Sequence, residues 1–249
     1  MIDNHAHVGW YSDGYHSPKE IWSSASQAGF DEIVVSSTST CVELYKLVVK
    51  EIRELDRISN SNIHPVLWLT PRMFHSNCRW GLRYMLNSKI KWDGIKMHWG
   101  LHKEWFYSPN ITKDAITIAR ELQLPILLHT GEFKECEASV FGRLCKDNAD
   151  LLFVLAHGRP IDQAIEVLKD NSNSFVDTAF MPIYHIVQLV EEGFSSRILF
   201  GSDIPINQIY YTNITTTTYL ERRLSDLKKA LSIKDYKQII TNTVYNSII

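Results

Sequence analysis

Residues 1–10, MIDNHAHVGW, put two alternating histidines into a run that otherwise reads as a strand about to be buried. Side chains at i and i+2 of a strand share a face, with Cα atoms about 6.6 Å apart. His5 and His7 therefore face the same way, and Asp3 stands one step deeper on that face. Two imidazoles at this spacing can tilt onto one ion, each at about 2.0–2.1 Å. Asp3 is then expected behind them, orienting a ring that holds the ion. Taken alone, an H-x-H also serves merely to satisfy hydrogen bonds in a half-buried strand. What the rest of the chain brings to the same place decides the matter.

Outward from this stretch, seven more short apolar runs follow MIDNHAH (1–7): EIVVSS (32–37), HPVLWLT (64–70), DGIKMH (93–98), PILLHT (125–130), LLFVLAH (151–157), SFVDTA (174–179) and RILFGSD (197–203). Most are rich in Val, Ile, Leu or Phe, as parallel strands covered by helices are. Helical patterns lie between them. SPKEIWSSASQAG (17–29) opens on a Ser17 cap with Pro18 in the first turn and closes at Gly29. VELYKLVVKEIRELDRIS (42–59), TKDAITIARELQL (112–124, with Thr112 as cap), ECEASVFGRLCKDNA (135–149), IDQAIEVLKDN (161–171) and PIYHIVQLVEEG (182–193) are similar. CRWGLRYMLNS (78–88) is interrupted by Gly81, and TYLERRLSDLKKAL (218–231) and KDYKQIITNTVYNSI (234–248) close the chain.

Eight β-then-α units in 249 residues predict an α/β fold, a TIM (β/α)8 barrel, as a single domain over 1–249. A doubly wound open sheet is the alternative that alternation alone leaves standing. No low-complexity linker, repeat or charge block marks a boundary.

The ten histidines strengthen the barrel. His7, His98, His129 and His157 stand at or next to the ends of predicted strands, and Asp203 holds the equivalent place after RILFGS. In a parallel barrel all these ends open onto one face, where the active sites of the fold lie. Residues far apart in sequence are thus expected to meet around a divalent metal. His64, at the start of its strand, belongs to the opposite face, which serves stability. His185 sits in a helix pattern, and His16 and His75 occupy loops.

Composition narrows the partners. With 26 basic and 28 acidic residues, nothing favours nucleic acid or an anionic membrane. No apolar run approaches the ~18 residues of a membrane span, and the first one is broken at once by polar residues, so no secretory leader is expected. Cys41, Cys78, Cys136 and Cys145 lack C-x-x-C spacing and read as reduced thiols of a cytoplasmic protein.

DNHAH, GIKMHWG, LLHTGE, LAHGRP, FGSDIP and the closing IITNTVYNSI together resemble the amidohydrolase superfamily of metal-dependent TIM-barrel hydrolases, especially its amidohydrolase-related and TatD-like branches. The resemblance spans essentially the whole chain. It implies that His5, His7, His129 and Asp203 are metal ligands. His157 is then a further ligand if two metals bind, or a catalytic histidine beside one, and one metal ranks ahead of two. TatD-like proteins carry Glu near the end of the fourth strand, where this chain has Lys96 and His98. Other branches use a lysine there, carboxylated by carbon dioxide, to bridge two metals. Unmodified, Lys96 suits a substrate carboxylate, and His98 shares its face.

With these residues, the resemblance implies a hydrolase in which a divalent cation, zinc first and manganese second, activates water against an amide, ester or lactone of a small molecule. Asp203 is expected to move the proton, and either the metal or a hydrogen bond donated by His157 to stabilise the carbonyl oxygen. Substrate contacts are expected from His98, Arg72, Arg159 and Trp99, with Trp10, His102 and Glu132 as further candidates. The alternatives are a decarboxylase or hydratase of a small carboxylic acid on the same barrel, and a non-catalytic binding barrel. The exposed helices also leave room for a homo-oligomer.

Overall fold

The structure, a computed structural model, describes residues 1–245. Its strands are β1 (Ile2–Tyr11), β2 (Gly14–His16), β3 (Glu32–Ser37), β4 (Ile63–Leu69), β5 (Gly94–Met97), β6 (Ile126–His129), β7 (Phe153–Ala156), β8 (Ser174–Asp177) and β9 (Ile198–Leu199). They form one sheet in the order β2-β1-β3-β4-β5-β6-β7-β8-β9. Every pair from β1–β3 to β8–β9 is parallel. The segment after β9 returns to β1. Asn4 N–H donates to Phe200 O, Asp203 N–H to His5 O and His7 N–H to Ile204 O, each at 2.7 Å. Those bonds close the sheet, and the fold is the expected TIM barrel. An open doubly wound sheet is excluded because it has no such seam.

Local chemistry explains most elements. Ser17 and Glu20 form a reciprocal capping box on the helix Pro18–Gln27, with Pro18 in its first turn. The helices Tyr45–Ser59 and Pro109–Leu122 both end on left-handed residues, Asn60 and Gln123. All seven residues of β4 are buried, as a strand covered on both faces requires.

Several expectations shift. The first strand runs on to Tyr11 and turns back through Ser12 and Asp13 into β2, an antiparallel hairpin that was not expected. Thr112 caps nothing. The helix starts at Pro109, and Thr112 Oγ1 bonds Trp105 O instead. ECEASVFGRLCKDNA contains two short 3₁₀ turns before a helix of Gly142–Asp147. The final helix is Ile233–Thr241, and residues 246–248 of the expected helix lie outside those described.

Candidate functional site

At the C-terminal ends of the strands lies a cavity of about 620 Å³. His7, Lys96, His98, His129, His157 and Asp203 all line it, and His5 lies buried just beneath. The strand ends thus bring together every residue expected to hold a metal. The chain crosses closely here: a Cβ on Gly201 would lie 3.0 Å from His5 Cβ and 3.2 Å from that of Asp177.

The hydrogen bonds behind each ring fix which nitrogen faces the site. His5 Nδ1–H donates to Asp177 Oδ2 at 2.8 Å, an oxygen that can only accept. His5 Nε2 is therefore a bare lone pair. His7 Nδ1 lies 3.3 Å from the Ser36 carbonyl oxygen and 2.9 Å from Ser36 Oγ. Donation to the carbonyl leaves His7 Nε2 bare as well. These two Nε2 atoms are 3.1 Å apart. Lys96 Nζ donates to both, at 2.8 and 2.9 Å. Asp203 Oδ1 lies 3.0 Å from His7 Nε2 and 3.3 Å from His5 Nε2. It is buried and has no hydrogen-bond partner.

That orphan oxygen tests the fit of a metal. Two lone pairs and a carboxylate oxygen at this range repel one another unless a cation stands among them. The ammonium of Lys96 satisfies the two nitrogens but leaves Asp203 Oδ1 unmatched. A divalent ion taking borderline nitrogen and oxygen donors satisfies all three. His157 adds a fourth direction. Ligand atoms of His5, His157 and Asp203 all lie within 4.8 Å of one another, a possible His/His/Asp metal site.

His157 is not placed to donate as expected. Its Nδ1–H is taken by the Ala179 carbonyl oxygen at 3.0 Å, so Nε2 carries a lone pair, 3.9 Å from Asp203 Oδ2 and 3.2 Å from His129 Nδ1. His129 uses Nε2 to bond Glu132, which also pairs with Arg159 at 2.9 Å. Three residues of the rim, Glu132, His157 and Asp203, hold left-handed backbone angles with φ of 64°, 69° and 59°. Such conformations in non-glycine residues cluster at functional sites.

Burial sets the electrostatics. It pushes His5, His7 and His157 well below the ordinary histidine value, with the nearby Lys96 charge adding to the effect on His5 and His7. The same desolvation brings Lys96 down to about 8. Neutral imidazoles and a weakened ammonium are the states in which a cation can displace the lysine proton donors.

Asp3 does not orient a ring. It accepts from Ser202 N–H at 2.9 Å, Ser202 Oγ–H at 2.5 Å and His5 N–H at 3.2 Å, and burial raises its carboxyl to about 7. The orienting carboxylate is Asp177, which also accepts from the backbone N–H groups of His157 and Ala179. Sequence reasoning passed over it, although it ends SFVD just as Asp203 follows RILFGS. Tyr11 and Trp68, on the cavity wall beside His7, were also missed.

Of the expected substrate contacts, His98 and Arg159 line the cavity. His98 stacks between His129 at 3.6 Å and Trp68 at 5.9 Å, and its Nδ1 accepts from Leu101 N–H, leaving Nε2–H as a donor. Arg72 and Trp99 stand elsewhere. Arg72 is exposed and pairs with Glu43 at 2.8 Å, and buried Trp99 packs on Phe141 at 4.9 Å.

Neither a protein-family model nor a curated protein matches the chain in sequence. Solved structures match it in shape. A probable 2-pyrone-4,6-dicarboxylic acid hydrolase from Acinetobacter baumannii, with citric acid bound, superposes at a TM-score of 0.66 and 15% identity, over 96% of this chain and 95% of that one. A zinc-bound amidohydrolase from Burkholderia multivorans gives 0.68 and 11%, over 96% and 95%. A manganese-bound 5-carboxyvanillate decarboxylase from Novosphingobium aromaticivorans gives 0.63 and 11%, over 89% and 78%. At such identities the likeness establishes the shared barrel.

Proposed function

We propose that this chain is a metal-dependent hydrolase of the amidohydrolase type, cleaving an amide, ester or lactone bond in a small molecule. The observation that carries the reading is the unpartnered Asp203 Oδ1 facing the bare Nε2 atoms of His5 and His7. Fold neighbours that hold zinc or manganese support the same reading. His5, His7 and Asp203 would hold the ion, with His157 Nε2 and His129 Nδ1 as further donors. Lys96 would give up its two histidine acceptors, and is the residue to be carboxylated if two ions bind. Zinc is our first choice for this nitrogen-rich set, and manganese the second.

A bound divalent ion supplies Lewis acidity that makes water nucleophilic near neutral pH. Asp203 then takes the proton of the attacking water at its free carboxylate edge and returns it to the leaving group. Asp177 keeps the His5 ring turned with Nε2 toward the site. His98 Nε2–H is placed to hydrogen-bond the substrate. Arg159 and Glu132 form a pair at the rim that positions it.

A decarboxylase or hydratase on the same barrel is the second reading, favoured by the presence of Arg159 and Lys96 in the cavity wall. A single-domain cytoplasmic enzyme completes the proposal, in keeping with four free cysteines, three of them buried. No helix among the described residues is long and apolar enough to cross a membrane.

Elemental analysis of purified protein tests the core claim. We expect chelator-removable zinc or manganese at one or two ions per chain. Protein that stays empty after metal supplementation is a non-catalytic barrel. A panel of esters, lactones and aromatic acids then separates hydrolysis from decarboxylation.

A further inference from the structure

We infer that an open recess on the outer wall of the barrel, between the helices Tyr45–Ser59 and Arg79–Leu86, binds a nucleoside polyphosphate. This goes beyond the hydrolase reading, and the recess shares no lining residue with the cavity at the barrel mouth.

Charge comes first. The chain as a whole carries −2, yet this recess gathers Arg53, Arg79, Arg83 and Lys89, and no Asp or Glu lines it. None of these cations pairs with a carboxylate among the described residues, whereas many other basic side chains of the surface do. Arg53 is anchored by donation to the Ser88 carbonyl oxygen at 2.7 Å. Arg79 and Arg83 stand one turn apart on a single helix, so like charges adjoin at a cost that a bound anion would remove. Lys89 holds a φ of 63°, in the left-handed region that favours glycine, and still joins the same wall. Uncommitted guanidinium groups are the side chains best suited to phosphate oxygens.

The aromatic residues are the second, independent observation. Trp80 and Tyr84 form the neighbouring row of the same helix, line the same recess, and are 53% and 39% exposed. Trp80 is steadied by an edge-to-face contact with Tyr45, ring centroids 5.2 Å apart, and so offers a fixed platform. Exposed rings beside guanidinium groups suit a flat base whose phosphates reach the arginines. An inorganic anion would use the cations and leave the rings in water; a neutral aromatic would do the reverse. A nucleotide engages both. The volume, about 800 Å³, is that of a small-molecule site.

Isothermal titration calorimetry of the full-length protein tests this, with ATP, methyl triphosphate and adenosine as probes. Methyl triphosphate keeps the charge of ATP without its base, and adenosine keeps the base without the charge. Metal is removed first and the ionic strength kept low, so that neither an ion at the mouth nor salt screening masks the recess. We expect ATP to bind about tenfold or more tightly than adenosine, the worth of charge-assisted hydrogen bonds. Its advantage over methyl triphosphate should be about three- to tenfold, the range of an aromatic contact. The double variant Arg79→Gln/Arg83→Gln should weaken both phosphates by about tenfold or more. Trp80→Ala should cancel the advantage of ATP and leave methyl triphosphate unchanged. These side chains are exposed, so Tm should hold in both variants, and so should metal content, the test of the hydrolase reading. ATP affinity unchanged in the double variant overturns the inference, as does methyl triphosphate binding as tightly as ATP to the wild type. A single-stranded RNA decamer that binds more tightly than ATP overturns it too, and makes the recess part of a nucleic-acid track.

Discussion

His5 on β1 and His64 on β4 lie toward opposite ends of one barrel and live in opposite environments. His64, near the start of β4, is clamped between two carboxylates, Glu32 at 2.8 Å and Asp93 at 3.0 Å. Burial would lower its pKa, but the hydrogen bonds and charges of Asp93 and Glu32 outweigh that and raise it. His5, at the mouth, donates from one nitrogen, and its other accepts from Lys96 beside the lone pair of His7 Nε2 and the unmatched oxygen of Asp203. Burial there wins and the ring stays neutral. At the base of the barrel a histidine completes its own bonding. At the mouth Lys96 meets both histidine nitrogens but Asp203 Oδ1 is left unmatched, and the proposed cation would complete it. The lesson is that a histidine's surroundings set its part: two carboxylates close off the ring at the base, whereas the rings at the mouth converge on an unmatched Asp203 oxygen.

The sharpest way to break this contrast is Asp203→Asn, which removes the negative charge but keeps the shape. We expect loss of bound metal and a fall in turnover of about 10²–10⁴, the range for a lost proton-transfer group. Metal content by elemental analysis and steady-state kinetics after metal supplementation read both effects. Full metal content with full turnover would contradict the proposed role of Asp203.

A smaller effect is expected one layer behind. Asp177→Asn retains an oxygen for the backbone N–H groups of His157 and Ala179, yet loses the charge that sets the His5 ring. Partners behind metal-binding histidines typically contribute 10- to 100-fold to metal affinity. Competition with a chelating dye should show a loss in that range, with far-UV circular dichroism unchanged. An affinity equal to the wild type would mean that His5 needs no carboxylate to orient it.

The architecture and the gathering at the mouth were legible because strand ends are easy to find. PILLH and LLFVLAH both end apolar runs on a histidine, and parallel closure forces such ends together. Three things were not legible, for physical reasons. Asp177 looks in sequence like any polar residue leaving a strand, and its bonds to His5 and His157 span 172 and 20 residues. Asp3 has the spacing of an orienting carboxylate, but the returning Ser202 captures it first. Arg72 and Trp99 follow strand ends as Arg159 does, yet loop paths carry one to solvent and the other into the core. Periodicity specifies faces of strands; it does not specify which loop residue turns inward.

The mildest test works at the other end of the barrel, where His64→Gln should cost stability without touching the metal. With its folded pKa above the ordinary 6.5, protonated His64 contributes stability that is fully present below the unfolded value and is lost as pH rises through the folded one. Its carboxylate partners are partly solvent-exposed, so the loss on substitution is about 1–2 kcal/mol at acidic pH after allowance for screening. Urea unfolding of wild type and variant across pH 5–9 should show two curves that are separated at low pH and converge as pH rises. Metal affinity should be the same in both. A gap that instead widened with pH would place the neutral ring, not the ion-paired one, as the stabilising form, and the contrast between the two ends of the barrel would lose its electrostatic basis.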